Sequence, residues 1–178
     1  MSINFIPSES ERLKFVLTCE DYLEDIYKEH TAKVAQRMEL RAFSELPKEE
    51  TEKFVRACEQ ANELETDLEV VILDKNTGEF LGCAAVLALK RSVPELGIWL
   101  KESAWGHGYG REAVAKLLDW IFAYKDYKYV LYACDRDNLA SRRLAESFGA
   151  TIDNVYDHVS ESGMTLNVCE YHLTNPHK

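Results

Sequence analysis

Glu95-Leu-Gly-Ile-Trp-Leu-Lys-Glu-Ser-Ala-Trp105-Gly-His-Gly-Tyr-Gly-Arg-Glu-Ala113 reads as a strand, a short loop and the start of a helix. From Glu95 to Leu100 the side chains alternate. Glu95, Gly97 and Trp99 share one face, and Leu96, Ile98 and Leu100 share the other. The loop then places Gly106, Gly108 and Gly110 at every second position. A helix is predicted from about Arg111 to Tyr124, with Ala113, Val114, Leu117, Leu118 and Ile121 as its apolar stripe. Glycines there let the backbone turn tightly and come close to a ligand. The free N–H groups of a helix's first turn and its dipole make an anion site that suits a pyrophosphate. Arg111 adds a charge-assisted contact. On the loop alone, a flexible turn with no ligand remains the competing reading.

Two familiar phosphate loops do not fit. A P-loop closes on Gly-Lys-Ser/Thr, whereas this loop closes on Gly110-Arg111-Glu112. A dinucleotide fingerprint needs G-x-G-x-x-G early in a βαβ unit, whereas this is G-x-G-x-G past mid-chain.

Upstream of the loop, alternation predicts a strand from Glu11 to Cys19 and helical spacing predicts a helix from Asp21 to about Arg37. A second helix begins at Pro47 and runs to about Ala61, with Glu49 and Glu50 in its first turn. Strands follow at Leu68 to Leu73 and Phe80 to Leu89, joined by a turn at Asp74–Glu79. Downstream, a strand from Tyr127 to Cys134 precedes a short helix from Asn138 to Ser147, which Gly149 terminates. Val155 to Val159 and Leu166 to Leu173 close the chain as a strand pair. The order β-α-α-β-β-β-α-β-α-β-β gives an α+β class, with helices flanking a mixed, mostly antiparallel central sheet.

At 178 residues, with neither repeat nor linker, the chain reads as a single domain over 1–178 with its core at about 11–174. No run of 18 apolar residues and no leader pattern occur, so no membrane and a cytoplasmic setting are expected. Five scattered cysteines without a CxxC pair argue for free buried thiols and no metal site. The net charge of −10 argues against nucleic acid as a partner and suits a cationic one. His30, His158 and His172 lack ligand spacing and are expected at the surface or core edge.

At Trp105-Gly106-His107-Gly108-Tyr109-Gly110 and Asn138-Leu-Ala-Ser141-Arg-Arg-Leu-Ala145-Glu-Ser-Phe148-Gly149-Ala150, the chain resembles the GNAT acetyltransferase superfamily. The ribosomal-protein N-terminal acetyltransferase-like (RimJ/RimL-like) branch is the nearest match. The resemblance runs from about Glu11 to Thr174 and is most specific from Glu95 to Ala150. It implies the GNAT acyl-CoA N-acyltransferase fold and acetyl-CoA (coenzyme A) as co-substrate, with no metal. The family holds the coenzyme A pyrophosphate with Q/R-x-x-G-x-G/A, which maps the contact onto Gly106, His107, Gly108, Tyr109, Gly110 and Arg111. Trp105 departs from the Gln/Arg position. The family's splayed strand, which pairs with pantetheine, maps onto Ile98, Trp99 and Leu100. The Asn beside the pantetheine arm maps onto Asn138, which is also a plain N-cap. Ala150 replaces the usual Phe. Pairing of many relatives through C-terminal strands implies a homodimer.

Acetyl transfer to an amine needs a neutral nucleophile, stabilisation of an oxyanion and a proton for the leaving thiolate. The resemblance implies direct attack. A backbone N–H at Trp99 or Leu100 would polarise the carbonyl. Glu95 is the candidate base, against a simple strand-end carboxylate. The family's tyrosine acid falls on Ala145, so Ser141 is the candidate replacement, against a helix-start role. His107 reads as an exposed loop residue and Tyr109 as packing over the loop. The expected acceptor is a protein or peptide N-terminal α-amine, whose pKa near 8 leaves a useful neutral fraction. The alternatives are a small-molecule amine (polyamine, amino sugar or amino acid) and a non-catalytic acetyl-CoA-binding regulatory module.

Overall fold

The computed structural model describes residues 8–36, 38–160 and 163–177. Seven strands among them form one sheet, in the order β1-β2-β3-β4-β5-β7-β6. The strands are β1 (Leu13–Leu17), β2 (Leu68–Asp74), β3 (Phe80–Leu87), β4 (Glu95–Leu100), β5 (Val130–Asp135), β6 (Ile152–Val159) and β7 (Thr165–Leu173). Only β4 and β5 run parallel; every other pairing is antiparallel. The α+β class and the mixed sheet expected from the sequence are both present.

Helix α4 (Tyr109–Tyr124) covers one face. Its stripe Ala113, Val114, Leu117, Leu118 and Ile121 is fully buried against Leu96, Val86, Ile72 and Leu13. A 3.6-residue repeat of aliphatic side chains has no other way to leave water. Helix α5 (Leu139–Glu146) lies beside it, on β5 and β7. The opposite face of β1–β4 is covered by α1 (Leu23–Glu29), α2 (Ala32–Ala35) and α3 (Lys48–Glu63), around Ile26, Phe43, Val55, Phe80 and Trp99. Cys58, Cys83, Cys134 and Cys169 are buried, Cys19 is half-buried, and all five are free.

Some boundaries differ from the sequence reading. The helix expected from Asp21 to Arg37 is broken, and Arg37 lies outside the described residues. A single 3-10 turn at Glu20–Tyr22 leads into α1, and His30 then leaves the helix at ψ 69. Thr31 restarts it by capping α2, its Oγ1 accepting the Val34 N–H at 3.4 Å. The break lets the His30 ring turn inward. It packs 4.7 Å from Phe43 and 4.9 Å from Trp99 between ring centroids. His30 is therefore fully buried, not at the surface or core edge. Strand β5 begins at Val130 rather than Tyr127: the Tyr127 backbone N–H closes a turn onto the Lys125 carbonyl at 2.8 Å, and its hydroxyl donates to the Leu89 carbonyl. Strand β6 starts at Ile152, three residues before the expected Val155.

The buried His30 has a measurable consequence. Its Nδ1 accepts the Phe43 N–H at 3.2 Å, and burial pushes its pKa down to about 4. The unfolded chain keeps a value near 6.5, so it binds the proton first as pH falls. Stability from this group is therefore full above about pH 6.5 and is lost towards pH 4, by up to about 3 kcal/mol. Glu69, pushed up to about 8, acts with the opposite slope. The His30 contribution is thus read as a difference: urea midpoints of wild type and His30→Asn should converge as pH drops from 7 to 4. Parallel curves would contradict it.

Candidate active site

The decisive geometry is the split between β4 and β5. They pair only at Glu95 with Leu131 and then diverge. In an antiparallel pair the bonding direction alternates along the strand. Lys101 N–H donates to Leu81 O at 2.8 Å, which places the odd-numbered residues of β4 on the β3 ladder. Leu131 N–H donates to Pro94 O at 2.9 Å, so the even-numbered residues face β5. Among the described residues, no strand pairs with that edge beyond Leu96. The backbone groups of Ile98 and the N–H of Leu100 therefore line an open gap. Trp99, by contrast, turns its backbone to Cys83.

The glycine loop sits at the mouth of this gap. Gly106 and Gly108 hold φ of 78 and 79, the left-handed region that glycine adopts without strain. Helix α4 starts at Tyr109, two residues earlier than read from the sequence, and Gly108 supplies no capping side chain. The first bond to close is Glu112 N–H to Gly108 O at 3.2 Å. The amides of Tyr109, Gly110 and Arg111 are left uncapped at the positive end of the dipole. Gly110 is informative for a different reason. A Cβ there would sit 3.7 Å from Leu144 and 3.8 Å from Leu100, in ordinary contact. The protein's own packing therefore does not require glycine at this position.

Arg12 braces the loop from β1's start. Its Nε and its backbone N–H both donate to Glu112 at 2.7 Å, and its Nη1 donates to the His107 carbonyl at 3.0 Å. The guanidinium lies 4.6 Å from the Tyr109 ring centre. Against its burial, hydrogen bonds from the Ser10 hydroxyl and from Arg12 hold the Glu112 carboxyl below the usual range. Arg111 lies over Phe148 at 5.3 Å, at the end of α5, so two guanidinium groups flank the uncapped amides. His107 is exposed. Trp105, the departure from the family pattern, donates its indole N–H to Leu100 O at 2.8 Å, satisfying the last carbonyl of β4. Glu102 ties this segment to α2 through Thr31 (2.8 Å) and Lys33 (2.9 Å).

On the α5 face of the gap, Asn138 caps its helix by accepting the Ser141 N–H at 3.2 Å. The Ser141 hydroxyl lies 2.7 Å from the Tyr132 hydroxyl on β5. Burial pushes the Tyr132 phenol well above its usual range, so it keeps its proton. Either hydroxyl can donate in this pair, so Ser141 can turn its proton to Tyr132 or to another acceptor.

On the other face lies Glu95. Burial, with help from the Glu170 charge, raises its pKa. Leu131 beside Glu95 pairs with His172, and Ala133 pairs with Glu170, so all three polar groups share that face. No helix covers this half of the sheet among the described residues. It is walled instead by a bridge from the segment after α2, Glu39 to His158 of β6 at 2.7 Å. The structure thus gathers Asn138 and Ser141 on one side of the gap and sets Glu95 on the other. Sequence reasoning missed Arg12, Tyr132, Glu170 and His172. Only the alternation in β7, which puts Glu170 and His172 on one face, carried any signal. No group of three or more His, Cys, Asp or Glu among the described residues is placed to hold a metal ion.

Three comparisons bear on this site. A curated relative, the uncharacterized protein YkkB of Bacillus subtilis (strain 168), is 35% identical over 79 residues, which is 43% of this chain. The match spans about half of YkkB's own length, 46%. RimL, the ribosomal L7/L12 alpha-N-protein acetyltransferase solved with coenzyme A, superposes with a TM-score of 0.82 at 19% identity, over 95% of this chain and 97% of its own. Spermidine N-acetyltransferase from Vibrio cholerae, solved with coenzyme A and spermine, gives 0.79 at 13% identity, over 94% and 98%. At such identities both show the fold. The acetyltransferase (GNAT) domain family matches residues 12–151, which contain the loop, the split strands and α5. This chain therefore belongs to the GNAT acetyltransferase family.

Proposed function

We propose that this chain moves an acetyl group from acetyl-CoA to a primary amine by direct attack, as a single domain, and that the acceptor is a protein or peptide N-terminal α-amine. The observation that carries this reading is the β4–β5 split beside an uncapped helix start, with a carboxylate on one face and a paired hydroxyl on the other. The amides of Gly108–Arg111 with Arg111 hold the pyrophosphate. Ile98 and Leu100 offer pantetheine a strand edge, and Asn138 lies beside that arm. Acetyl-CoA supplies the activated acyl group. Glu95 takes a proton from the acceptor ammonium, and its raised pKa brings it closer to that of the amine. The Leu100 N–H polarises the carbonyl better than Trp99 does, since the latter's backbone is engaged with β3. Ser141, held by Tyr132, donates to the departing sulfur.

A small polyamine is the second reading. Glu95 and Glu170 on the uncovered face favour a cation with more than one charge. Coenzyme A thiol release should be followed with peptides of varied first residue, spermidine, amino sugars and amino acids. Turnover with peptides, lost when their N-terminus is blocked, is expected. Turnover with polyamines alone would transfer the assignment to the second reading. Binding of acetyl-CoA without turnover of any amine would leave a regulatory module.

A further inference from the structure

The overall reaction sets a further requirement, a route for one proton. An acceptor ammonium carries three protons on nitrogen, and the amide product carries one. One proton ends on the departing thiol as the C–N bond forms and the C–S bond breaks. The other, taken up by Glu95, must reach solvent before the next turnover. This inference rests on the acetyl-transfer reading above.

A line of titratable groups leads away from Glu95 along the uncovered face. Glu170 shares the sheet face of Glu95 across β5, where Leu131 pairs with Glu95 and His172 and Ala133 pairs with Glu170, and its charge acts on Glu95. Two residues on in β7, His172 Nε2 lies 3.6 Å from Glu170 Oε1. Its other nitrogen, Nδ1, lies 3.4 Å from Asp153 Oδ1 on β6. The Asp153 carboxylate also accepts the His172 backbone N–H at 3.1 Å, and Tyr129 stacks on the imidazole with ring centres 3.8 Å apart. The ring thus bridges two carboxylates through its two nitrogens. It is held in plane, with both distances a few tenths of an ångström beyond hydrogen bonds. A small rocking of the ring closes either one. Asp153 is 40% exposed and, with His172, lines a groove of about 550 Å³ shared with Lys128, Tyr129 and Thr174. Among the described residues, Tyr156 and the Glu39–His158 pair also face this line, from β6 and the segment after α2.

We propose that Glu170, His172 and Asp153 form the path by which the proton taken from the acceptor leaves the site. An imidazole suits this task because its two nitrogens allow a proton to enter on one side and leave on the other. Glu170 and His172 then act through Glu95 rather than on the acetyl group.

The test uses the full chain with acetyl-CoA and the best acceptor from the amine panel. His172→Ala should lower kcat about ten-fold at pH 7, with KM for acetyl-CoA unchanged, and added imidazole should restore most of the loss. Glu170→Gln should lower kcat and also move the acidic limb of the rate profile to lower pH, because removing that charge lets Glu95 ionise sooner. Asp153→Asn, at a more exposed position, should show a smaller loss of the same kind. Should His172→Ala fold poorly, Glu170→Gln and Asp153→Asn carry the test. Wild-type kcat in these variants, or a loss that imidazole and pH leave untouched, overturns the relay while acetyl transfer stands. A wild-type chain that acetylates no amine overturns the transfer reading, and the relay with it.

Discussion

Gly110→Asp is expected to weaken acetyl-CoA binding about 10²–10³-fold while leaving the fold as stable as before, or more so. The position separates folding from binding. A Cβ there meets only ordinary contacts, at 3.7 and 3.8 Å, and its φ is not among the positive ones. Glycine in a helix costs about 1 kcal/mol against alanine, and a carboxylate in a first turn is favoured by the dipole, so melting should not fall. A pyrophosphate at the amides of Tyr109, Gly110 and Arg111 would face a like charge at about 4 Å. That costs several kcal/mol at the dielectric of a protein surface. Equilibrium titration and thermal melting on the same sample check both halves. Unchanged affinity in a folded variant removes the pyrophosphate from this loop.

Glu95→Gln is expected to lower kcat by about 10²–10⁴, the usual contribution of a positioned base. The substitution keeps shape and removes charge. Burial penalises the Glu95 carboxylate, so stability should hold or rise. The deficit has a signature in pH. Below the raised pKa of Glu95 the wild type also lacks its base, and well above pH 8 a free α-amine is already neutral. The loss should therefore be greatest between these limits and narrow above them. A uniform loss at all pH values points to a packing role, and an unchanged profile removes Glu95 from the chemistry.

The parts of the fold that local sequence dictates were legible. The α4 stripe and the alternation of β4 each follow from spacing along a few turns of chain, and both stand as read, whereas the last of the three glycines falls inside α4 rather than in the loop. The break at His30 was not legible, because Leu23, Ile26 and Val34 keep helical spacing straight through it. Packing against Trp99 and Phe43, fixed far along the chain, decides where that helix stops. The brace of the loop joins Arg12 to Glu112 across 100 residues, beyond any local pattern. The partners of Glu95 depend on sheet register, since Glu170 and His172 reach its face only through β5. Trp105 illustrates the reverse case. Its side chain differs from the family's, yet the backbone amides that follow it stay open, because the indole binds Leu100 O instead of the loop.

Titration of the purified chain with acetyl-CoA by calorimetry, with ATP and NAD as controls, tests the central claim most directly. Saturable binding of acetyl-CoA, much tighter than either control and lost in Gly110→Asp, is the expected result. A folded chain that takes up no acetyl-CoA, or binds all three alike, would contradict the assignment of the β4–β5 gap and the glycine loop to that substrate.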